Sequence, residues 1–149
     1  MFNSILVVCT GNICRSPIGE RLLRQQLPGK LVTSAGIHGL EGRPADEGAL
    51  NVAWRQGLSL DGHVARKLTR SQMVKSDLIL AMEPQHLHFI AAVAPELRGR
   101  SLLFGHWLEQ QDIPDPYRKS SEAFEYVFEL LGKASQEWAR RLGQKGIQH

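Results

Sequence analysis

The feature that most constrains the fold is an abrupt change of pattern near the N-terminus. Residues 5–8 (ILVV) form an apolar, β-branched run that is typical of a strand buried on both faces. Residues 9–16 (CTGNICRS) follow, and from Pro17 to Leu27 apolar residues recur at helical spacing. A strand therefore leads through a tight loop to a helix N-terminus, where unpaired N–H groups and the helix dipole favour a bound anion.

Two side chains of this loop suit chemistry on a bound phosphate. Cys9 ends the strand beside the N–H donors of the loop, a setting that favours the thiolate over the thiol. Arg15 closes the loop, and its planar guanidinium can grip two phosphate oxygens at once. A nucleophilic sulfur beneath a bound phosphate predicts a phosphocysteine intermediate. An ordinary turn around a buried cysteine does not account for so many anion-directed groups together.

The rest of the chain alternates between strand and helix patterns. Further strands are predicted at residues 31–35, 77–82 and 102–104, each followed or preceded by a helical pattern. This alternation predicts a single α/β domain over residues 1–149, with a four-stranded parallel sheet, helices on both faces and a phosphate-binding loop after the first strand. Such sheets bind ligands beyond the carboxyl ends of their strands, which is where Cys9 lies.

These helical patterns also predict whether Trp54, His86 and His88 are buried or exposed. Trp54 falls in the apolar repeat of a helix that begins near Ala49, and this position predicts that the indole is part of the core. Another helix opens at Glu83, and His86 and His88 on it are predicted to be solvated surface residues.

Composition and charge exclude several classes of partner. The chain has 149 residues, of which 42% are hydrophobic and 22% charged, as in globular domains. Its net charge of +3 is modest and comes without a basic run, so no nucleic acid is expected as a partner. No stretch is long enough to enter a membrane, and the first apolar run is too short for a signal peptide. We therefore expect a cytoplasmic protein.

The two cysteines are Cys9 and Cys14, which are too few and too close to form a disulfide framework. The sequence contains no C-x2-C or H-E-x-x-H motif, and its histidines show no ligand spacing with the cysteines, so neither a metal nor another cofactor is expected. Two interpretations of Cys14 stay open. It is either a small buried hydrophobe or a redox partner that protects Cys9 by forming a disulfide.

A candidate proton donor follows the fourth predicted strand. Asp115 lies between Pro114 and Pro116, which stiffen the loop and allow its carboxylate to be aimed. The loop starts at the rim where Cys9 lies, and a phenolic leaving group with a pKa of about 10 needs a proton to depart at neutral pH. The alternative is an ordinary turn or helix cap, a common use of Asp and Pro.

The string C-T-G-N-I-C-R-S-P and the later D-P-Y resemble the active-site loop and the general-acid loop of the low-molecular-weight protein tyrosine phosphatases. The resemblance covers nearly the whole chain. It implies a protein-tyrosine phosphatase in which Cys9 is the nucleophile, Arg15 the transition-state clamp, and Asp115 first the acid and then the base. The remaining residues of the phosphate-binding loop are then Thr10, Gly11, Asn12, Ile13, Cys14 and Ser16.

The same resemblance implies roles for polar residues around the loop. Ser16 matches the hydroxyl that hydrogen-bonds the thiolate, although its position also suits a helix N-cap. Asn12, Ser34 and His63 match a network that holds the family's loop in shape. Asn12 has separate support, because asparagine tolerates the left-handed backbone that a tight anion loop requires.

Ile13, Leu40 and Tyr117 are implied to line the substrate cleft. Eukaryotic members usually carry an aromatic residue in place of Leu40 and a second tyrosine in place of Arg118, so the chain is more similar to the bacterial branch. In that branch the partner is often the tail of an autophosphorylated tyrosine kinase that controls production of surface polysaccharide. The resemblance therefore implies a phosphotyrosine protein of this kind as the partner.

Four other functions fit the sequence less well than that of a tyrosine phosphatase. An arsenate reductase needs further cysteines, and none follows Cys14. A protein-arginine phosphatase carries threonine where Ile13 stands. A phosphoryl carrier needs a phosphocysteine that persists, whereas Arg15 and Asp115 together promote its hydrolysis. A catalytically inactive phosphotyrosine-binding module has no need of Cys9, Arg15 and Asp115 together.

Overall fold

The computed structural model describes residues 2–143. Within this range the strands are β1 Ser4–Cys9, β2 Leu31–Gly36, β3 Leu78–Ala81 and β4 Ser101–Leu103. The α-helices are α1 Arg15–Gln26, α2 Glu47–Arg55, α3 Arg70–Val74, α4 Pro84–Val93 and α5 Ser121–Gly143, and a 3-10 helix covers Pro95–Arg100.

The four strands form one parallel sheet in the order β2-β1-β3-β4, which confirms the predicted architecture. In the register of the sheet Cys9 lies opposite Gly36, and Val8 lies between Ala35 and Ala81. The chain runs outward from β1 to β2 and then returns past β1 to form β3 and β4. The strand order therefore reverses between β1 and β3, and ligands of open α/β sheets bind at the carboxyl side of such a switch point.

Each face of the sheet packs against its own group of helices. One face, which includes Ile5, Val7 and Leu80, packs against α1, α2 and α5. The other face, which includes Leu6 and Ile79, packs against α3, α4 and the 3-10 helix. The alternation of side chains along each strand thus fills two separate cores, and helices on both faces are confirmed. No helix within residues 2–143 combines the length and the apolar content that crossing a membrane requires.

Helix α1 begins at Arg15, two residues before the predicted start at Pro17. Pro17 still fits, because the N–H groups of the first helical turn have no intrahelical partner and proline loses nothing there. Ahead of the helix the chain turns sharply at Asn12, whose φ of 59° lies in the left-handed region. The left-handed backbone predicted for Asn12 is therefore confirmed.

The predicted core position of Trp54 is wrong, because 73% of its surface is exposed. Helix α2 has nine residues and buries a narrow face made of Ala49, Val52 and Ala53. The indole next to Ala53 points away from that face. In α5, by contrast, a long apolar stripe is buried, which includes Phe124, Val127, Leu131, Ala134 and Trp138.

The third strand is shorter than predicted at both ends. It covers Leu78–Ala81, and Asp77 instead accepts hydrogen bonds from the N–H groups of Asn3 and Ser4 at the start of β1. These backbone donors lower the pKa of the Asp77 carboxyl. The fourth strand covers Ser101–Leu103, one residue earlier than predicted.

Candidate active site

The loop between β1 and α1 is held by the chain that follows β2. The carbonyl oxygens of Cys9, Thr10 and Gly11 accept hydrogen bonds from the N–H groups of residues 37, 38 and 40 at 3.0, 2.9 and 3.1 Å. Within residues 2–143 the N–H groups of residues 10–14 donate to no protein atom. The loop thus directs its acceptors to the protein and leaves a set of amide donors for an anion.

The close approach of the β1–α1 loop to the end of β2 depends on Gly36. A Cβ atom at this position would lie 2.5 Å from the carbonyl oxygen of Thr10 and 2.8 Å from the amide nitrogen of Asn12. Any side chain would push the loop away from β2 and break the bonds that fix its carbonyl groups.

Asn12 is the centre of the network that supports the loop. Its side-chain amide donates to the hydroxyls of Ser16 and Ser34 at 2.8 and 2.9 Å, and its Oδ1 accepts from the amide of Arg66 at 2.8 Å. The Nε2 of His63 lies 2.6 Å from the Asn12 carbonyl oxygen and must donate to it. The structure thus brings together the predicted residues Asn12, Ser34 and His63.

A buried carboxylate extends this network beyond the predicted residues. The Ser34 hydroxyl donates to Glu20 Oε1 at 2.5 Å, and Glu20, on α1, is 4% exposed. Its other oxygen lies 3.1 Å from the guanidinium of Arg24. Sequence reasoning missed Glu20, although it lies four residues after Ser16 and therefore on the same face of the helix.

The hydroxyl of Ser16 lies 2.9 Å from the sulfur of Cys9. Because Ser16 Oγ already accepts the Asn12 amide, its own proton is free to be donated to the sulfur. A hydrogen bond of this kind stabilises a thiolate. The N-cap of α1 is Cys14, so the N-cap interpretation of Ser16 is wrong.

Arg15 is almost completely buried and is held along one edge. Its Nη1 donates to Glu83 Oε1 at 2.8 Å and to the Ile113 carbonyl at 2.7 Å, while Nη2 lies 3.8 Å from Asp115 Oδ2. The carboxylate of Glu83 compensates the buried charge. Sequence reasoning missed Glu83, although it follows β3 at the rim that also carries Cys9.

The prediction that His86 lies on the solvated surface is wrong, since 2% of the residue is exposed. Its Nδ1 accepts the N–H of Glu83 at 3.1 Å, and its Nε2 lies 3.0 Å from Thr10 Oγ1. Burial, together with the nearby charge of Arg15, lowers the pKa of His86 to about 4, so the ring is neutral at pH 7. His88, two residues later, is exposed as predicted.

The lowered pKa of His86 predicts that acid destabilises the fold. Between about pH 4 and 6.5 the unfolded chain binds a proton that the folded ring rejects, so the free energy of unfolding falls as the pH falls. The shift corresponds to a loss of up to about 3 kcal/mol. We expect His86→Gln to lose less stability than the parent between pH 7 and pH 4.5 in urea unfolding, and His88→Gln to behave like the parent. An equal acid loss in His86→Gln and the parent would contradict this assignment.

Two other groups near the loop are kept neutral by burial. Burial lowers the pKa of His63, in accord with a neutral ring that donates to Asn12. Burial, and then the negative charge of Asp46, raises the pKa of the Cys14 thiol. Cys9 and Cys14 are both buried and free. A protective disulfide between them stays a hypothesis.

A cleft of about 260 Å³ opens above the loop. Among its lining residues are Cys9, Arg15 and Asp115, and all three predicted cleft residues, Ile13, Leu40 and Tyr117. His38 also lines the cleft and was missed by sequence reasoning, although it stands two residues before Leu40. The residues that are predicted to act chemically and those that are predicted to form apolar walls therefore line the same cleft.

Asp115 serves both its local turn and the cleft. Its Oδ1 accepts the N–H of Tyr117 at 3.1 Å, which is an Asx turn, and its Oδ2 faces Arg15. Almost half of its side chain, 47%, is exposed, so the carboxyl can exchange protons with water. The sequence offers an ordinary turn as the alternative to a proton donor. The structure contains this turn, and its hydrogen bond to Oδ1 leaves Oδ2 directed towards Arg15.

Comparisons with known proteins agree with this arrangement. The sequence matches the family described as "Low molecular weight phosphotyrosine protein phosphatase" over residues 4–148. The low molecular weight protein-tyrosine-phosphatase Etp of Escherichia coli (strain K12) is 63% identical over 143 residues, which cover 96% of this chain and 97% of that protein.

Two solved structures show the same fold. The tyrosine phosphatase Wzb from Escherichia coli K30, crystallised with sulphate, superposes with a TM-score of 0.94 at 56% identity, covering 95% of this chain and 99% of that one. The YwlE arginine phosphatase from Geobacillus stearothermophilus has a TM-score of 0.90 at 30% identity, covering 98% and 96%. The chain belongs to the low molecular weight phosphotyrosine protein phosphatase family, and its relatives identify it as a protein-tyrosine phosphatase.

Proposed function

We propose that the enzyme hydrolyses phosphotyrosine through a phosphocysteine intermediate on Cys9. The sulfur attacks phosphorus, the bond to the tyrosyl oxygen breaks, and Asp115 protonates the departing oxygen. Asp115 then takes a proton from the water that attacks phosphocysteine, which releases phosphate and restores the thiolate. The observation that carries this proposal is the placement of Cys9, Arg15 and Asp115 around one cleft, next to loop amides that have no acceptor within residues 2–143.

The residues around Cys9 support the electrostatic part of this scheme. In phosphoryl transfer the charge lies on the equatorial oxygens, and catalysis consists mainly of positioning and opposing that charge. The amides of residues 10–14, which donate to no protein atom within residues 2–143, and the guanidinium of Arg15 are the donors that can oppose this charge. Because Glu83 and Ile113 hold Nη1, Arg15 needs no reorganisation when the phosphoryl group arrives.

The shape of the cleft favours phosphotyrosine over phosphoserine. Cys9 is 2% exposed and lies at the base of the cleft. A substrate must therefore carry its phosphate on a long side chain for the phosphorus to reach the sulfur. Leu40 and Tyr117 line the cleft with apolar surface that fits an aromatic ring, and Ile13 adds an apolar contact at its base. A phosphoserine would have to bring peptide backbone between these walls.

As the physiological partner we propose the tail of an autophosphorylated bacterial tyrosine kinase involved in surface polysaccharide production. The support is the similarity to bacterial tyrosine phosphatases and Leu40 and Arg118, which differ from the usual eukaryotic residues. We also propose that residues 1–149 act as one catalytic domain in the cytoplasm. A cysteine nucleophile must stay reduced, and the cytoplasm maintains that state.

A substrate panel tests the proposed specificity. With matched phosphotyrosine, phosphoserine and phosphoarginine peptides and a metal chelator present, we expect strong preference for phosphotyrosine in kcat/KM. Ile13→Thr should shift activity towards phosphoarginine, because a hydroxyl at that position can help to place the attacking water. Leu40→Ala should lower kcat/KM for phosphotyrosine by a modest factor, equivalent to about 1–2 kcal/mol.

Trp54→Ala is the matched control for Leu40→Ala, because it removes a large exposed side chain away from the cleft. Comparable hydrolysis of phosphoserine and phosphotyrosine by the parent would overturn the argument from cleft depth. It would leave the roles of Cys9, Arg15 and Asp115 untouched.

A further inference from the structure

The hydroxyl of Thr10 has partners that define the direction of its hydrogen bonds. Within residues 2–143 Oγ1 contacts His86 Nε2 at 3.0 Å and Arg15 Nη2 at 3.4 Å. Arginine always donates, so the contact with Arg15 uses an acceptor site of the hydroxyl. Whether the hydroxyl proton is also engaged depends on which nitrogen of His86 carries hydrogen.

The backbone of α4 determines that tautomer. The N–H of Glu83 donates to His86 Nδ1, so Nδ1 carries no hydrogen and a neutral ring must be protonated at Nε2. Burial and the charge of Arg15 lower the pKa of His86 to about 4, so the ring is neutral at pH 7. Nε2–H therefore donates to Thr10 Oγ1. The hydroxyl accepts from both neighbours, and no atom of the described chain takes its proton.

The unused proton belongs to a side chain at the phosphate site. Thr10 lines the cleft together with Cys9, and its hydroxyl lies beside Arg15 Nη2, the nitrogen that also faces Asp115. An anion bound over the loop would bring phosphoryl oxygens within reach of the loop amides and of this guanidinium edge. These oxygens are the acceptors that the Thr10 hydroxyl lacks.

We propose that Thr10 is a further catalytic residue, whose hydroxyl is oriented by His86 and donates a hydrogen bond to an oxygen of the phosphoryl group above Cys9. The inference rests on the proposed function, since it assumes a phosphoryl group in this cleft. Thr10 adds a side-chain donor to the backbone cradle. His86 is a positioning residue, because it acts through Thr10 and does not touch the substrate.

Thr10→Val tests the donor, because valine keeps the branched shape and removes the hydroxyl. A hydrogen bond to a charged group is worth a factor of about 10 to 100. We expect kcat for an aryl phosphate to fall about tenfold or more, with weaker inhibition by vanadate, which mimics the transition state. Thr10→Ser should restore most of both quantities. Thr33→Val, on β2, is the matched control, because the Thr33 hydroxyl has no hydrogen bond within residues 2–143, and it should act like the parent.

The positioning role of His86 is tested in the same assay. His86→Leu should lower kcat in the parent background and have little further effect in Thr10→Val, because both changes remove one interaction. His88→Gln, on the same helix, should leave kcat unchanged. Independent losses that multiply in the double variant would overturn the claim that His86 acts through Thr10.

A measurement on the parent enzyme avoids any folding defect of the variants. Long-range proton–nitrogen NMR at pH 7 should show His86 protonated at Nε2, and the Nδ1–H tautomer would overturn the proposal. Full activity of Thr10→Val would also overturn it, while an inactive Cys9→Ser would leave the proposed function standing. Activity of Cys9→Ser at the parent rate would instead contradict the proposed function itself.

Discussion

Replacing Cys9 with serine should abolish turnover of aryl phosphates and leave a protein that still binds phosphate. Serine keeps the shape of the side chain, but its hydroxyl is not ionised and is a poor nucleophile in this position. We expect a fall in kcat of about 10⁴-fold or more, as for other nucleophiles removed from covalent mechanisms. Single-turnover assays with a chelator present measure this loss.

Anion binding should survive because the cradle does not depend on sulfur. The amides of residues 10–14, which have no acceptor in the described part of the chain, belong to the backbone, and Arg15 is held by Glu83 and Ile113. Titration with phosphate, followed by calorimetry or by the amide signals of the loop, should therefore give binding close to that of the parent. Hydrolysis by Cys9→Ser at the parent rate would show that Cys9 is not the nucleophile.

Asp115→Asn should act on the leaving group and spare substrate binding. Asparagine keeps the oxygen that accepts the Tyr117 amide and so preserves the turn, but it cannot supply a proton. Cleavage of phenyl or tyrosyl phosphate should fall by about 10²–10⁴-fold, the usual contribution of a positioned acid. An ester whose leaving group is already a weak base needs little protonation, so its first step should suffer far less.

Single-turnover rates across a series of aryl phosphates test this expectation. Asp112→Asn is the matched control, because Asp112 lies exposed on the same loop and its carboxylate makes no hydrogen bond or ion pair within residues 2–143. It should follow the parent throughout the series. Equal losses for good and poor leaving groups in Asp115→Asn would mean that Asp115 supports the loop and does not act as the acid.

The sequence predicted those parts of the fold and site that depend on local pattern. The change from an apolar run to a helical repeat located the loop at Cys9, and the prolines around Asp115 marked a stiff loop at the same rim. Asn12 was expected in a left-handed conformation, and its φ is 59°. In each case the neighbouring residues in the chain are enough to define the local backbone.

The errors concern burial, which depends on packing between distant elements. The helical spacing of Trp54 predicts a core position, yet the short buried face of α2 is filled by other, smaller residues. The sequence predicts a surface position for His86, whereas the start of α4 lies against the loop that carries Thr10. Asp115 is a candidate because its loop follows a strand at the carboxyl rim of the sheet. Glu83 also follows a strand at that rim, so the same position in the fold marks it as a candidate. The pairing of Glu83 with Arg15, by contrast, joins residues far apart in the chain, and the local sequence does not predict which charged groups meet.

The central claim is that the phosphoryl group is transferred to Cys9, and trapping the intermediate tests it most directly. Asp115→Asn should slow hydrolysis of phosphocysteine more than its formation from an ester with a good leaving group. Rapid acid quench and mass spectrometry should then show one added phosphoryl group on the peptide that contains Cys9. The Cys9→Ala/Asp115→Asn double variant should show none. Release of phosphate without a phosphorylated enzyme, or phosphate on another residue, would contradict the account.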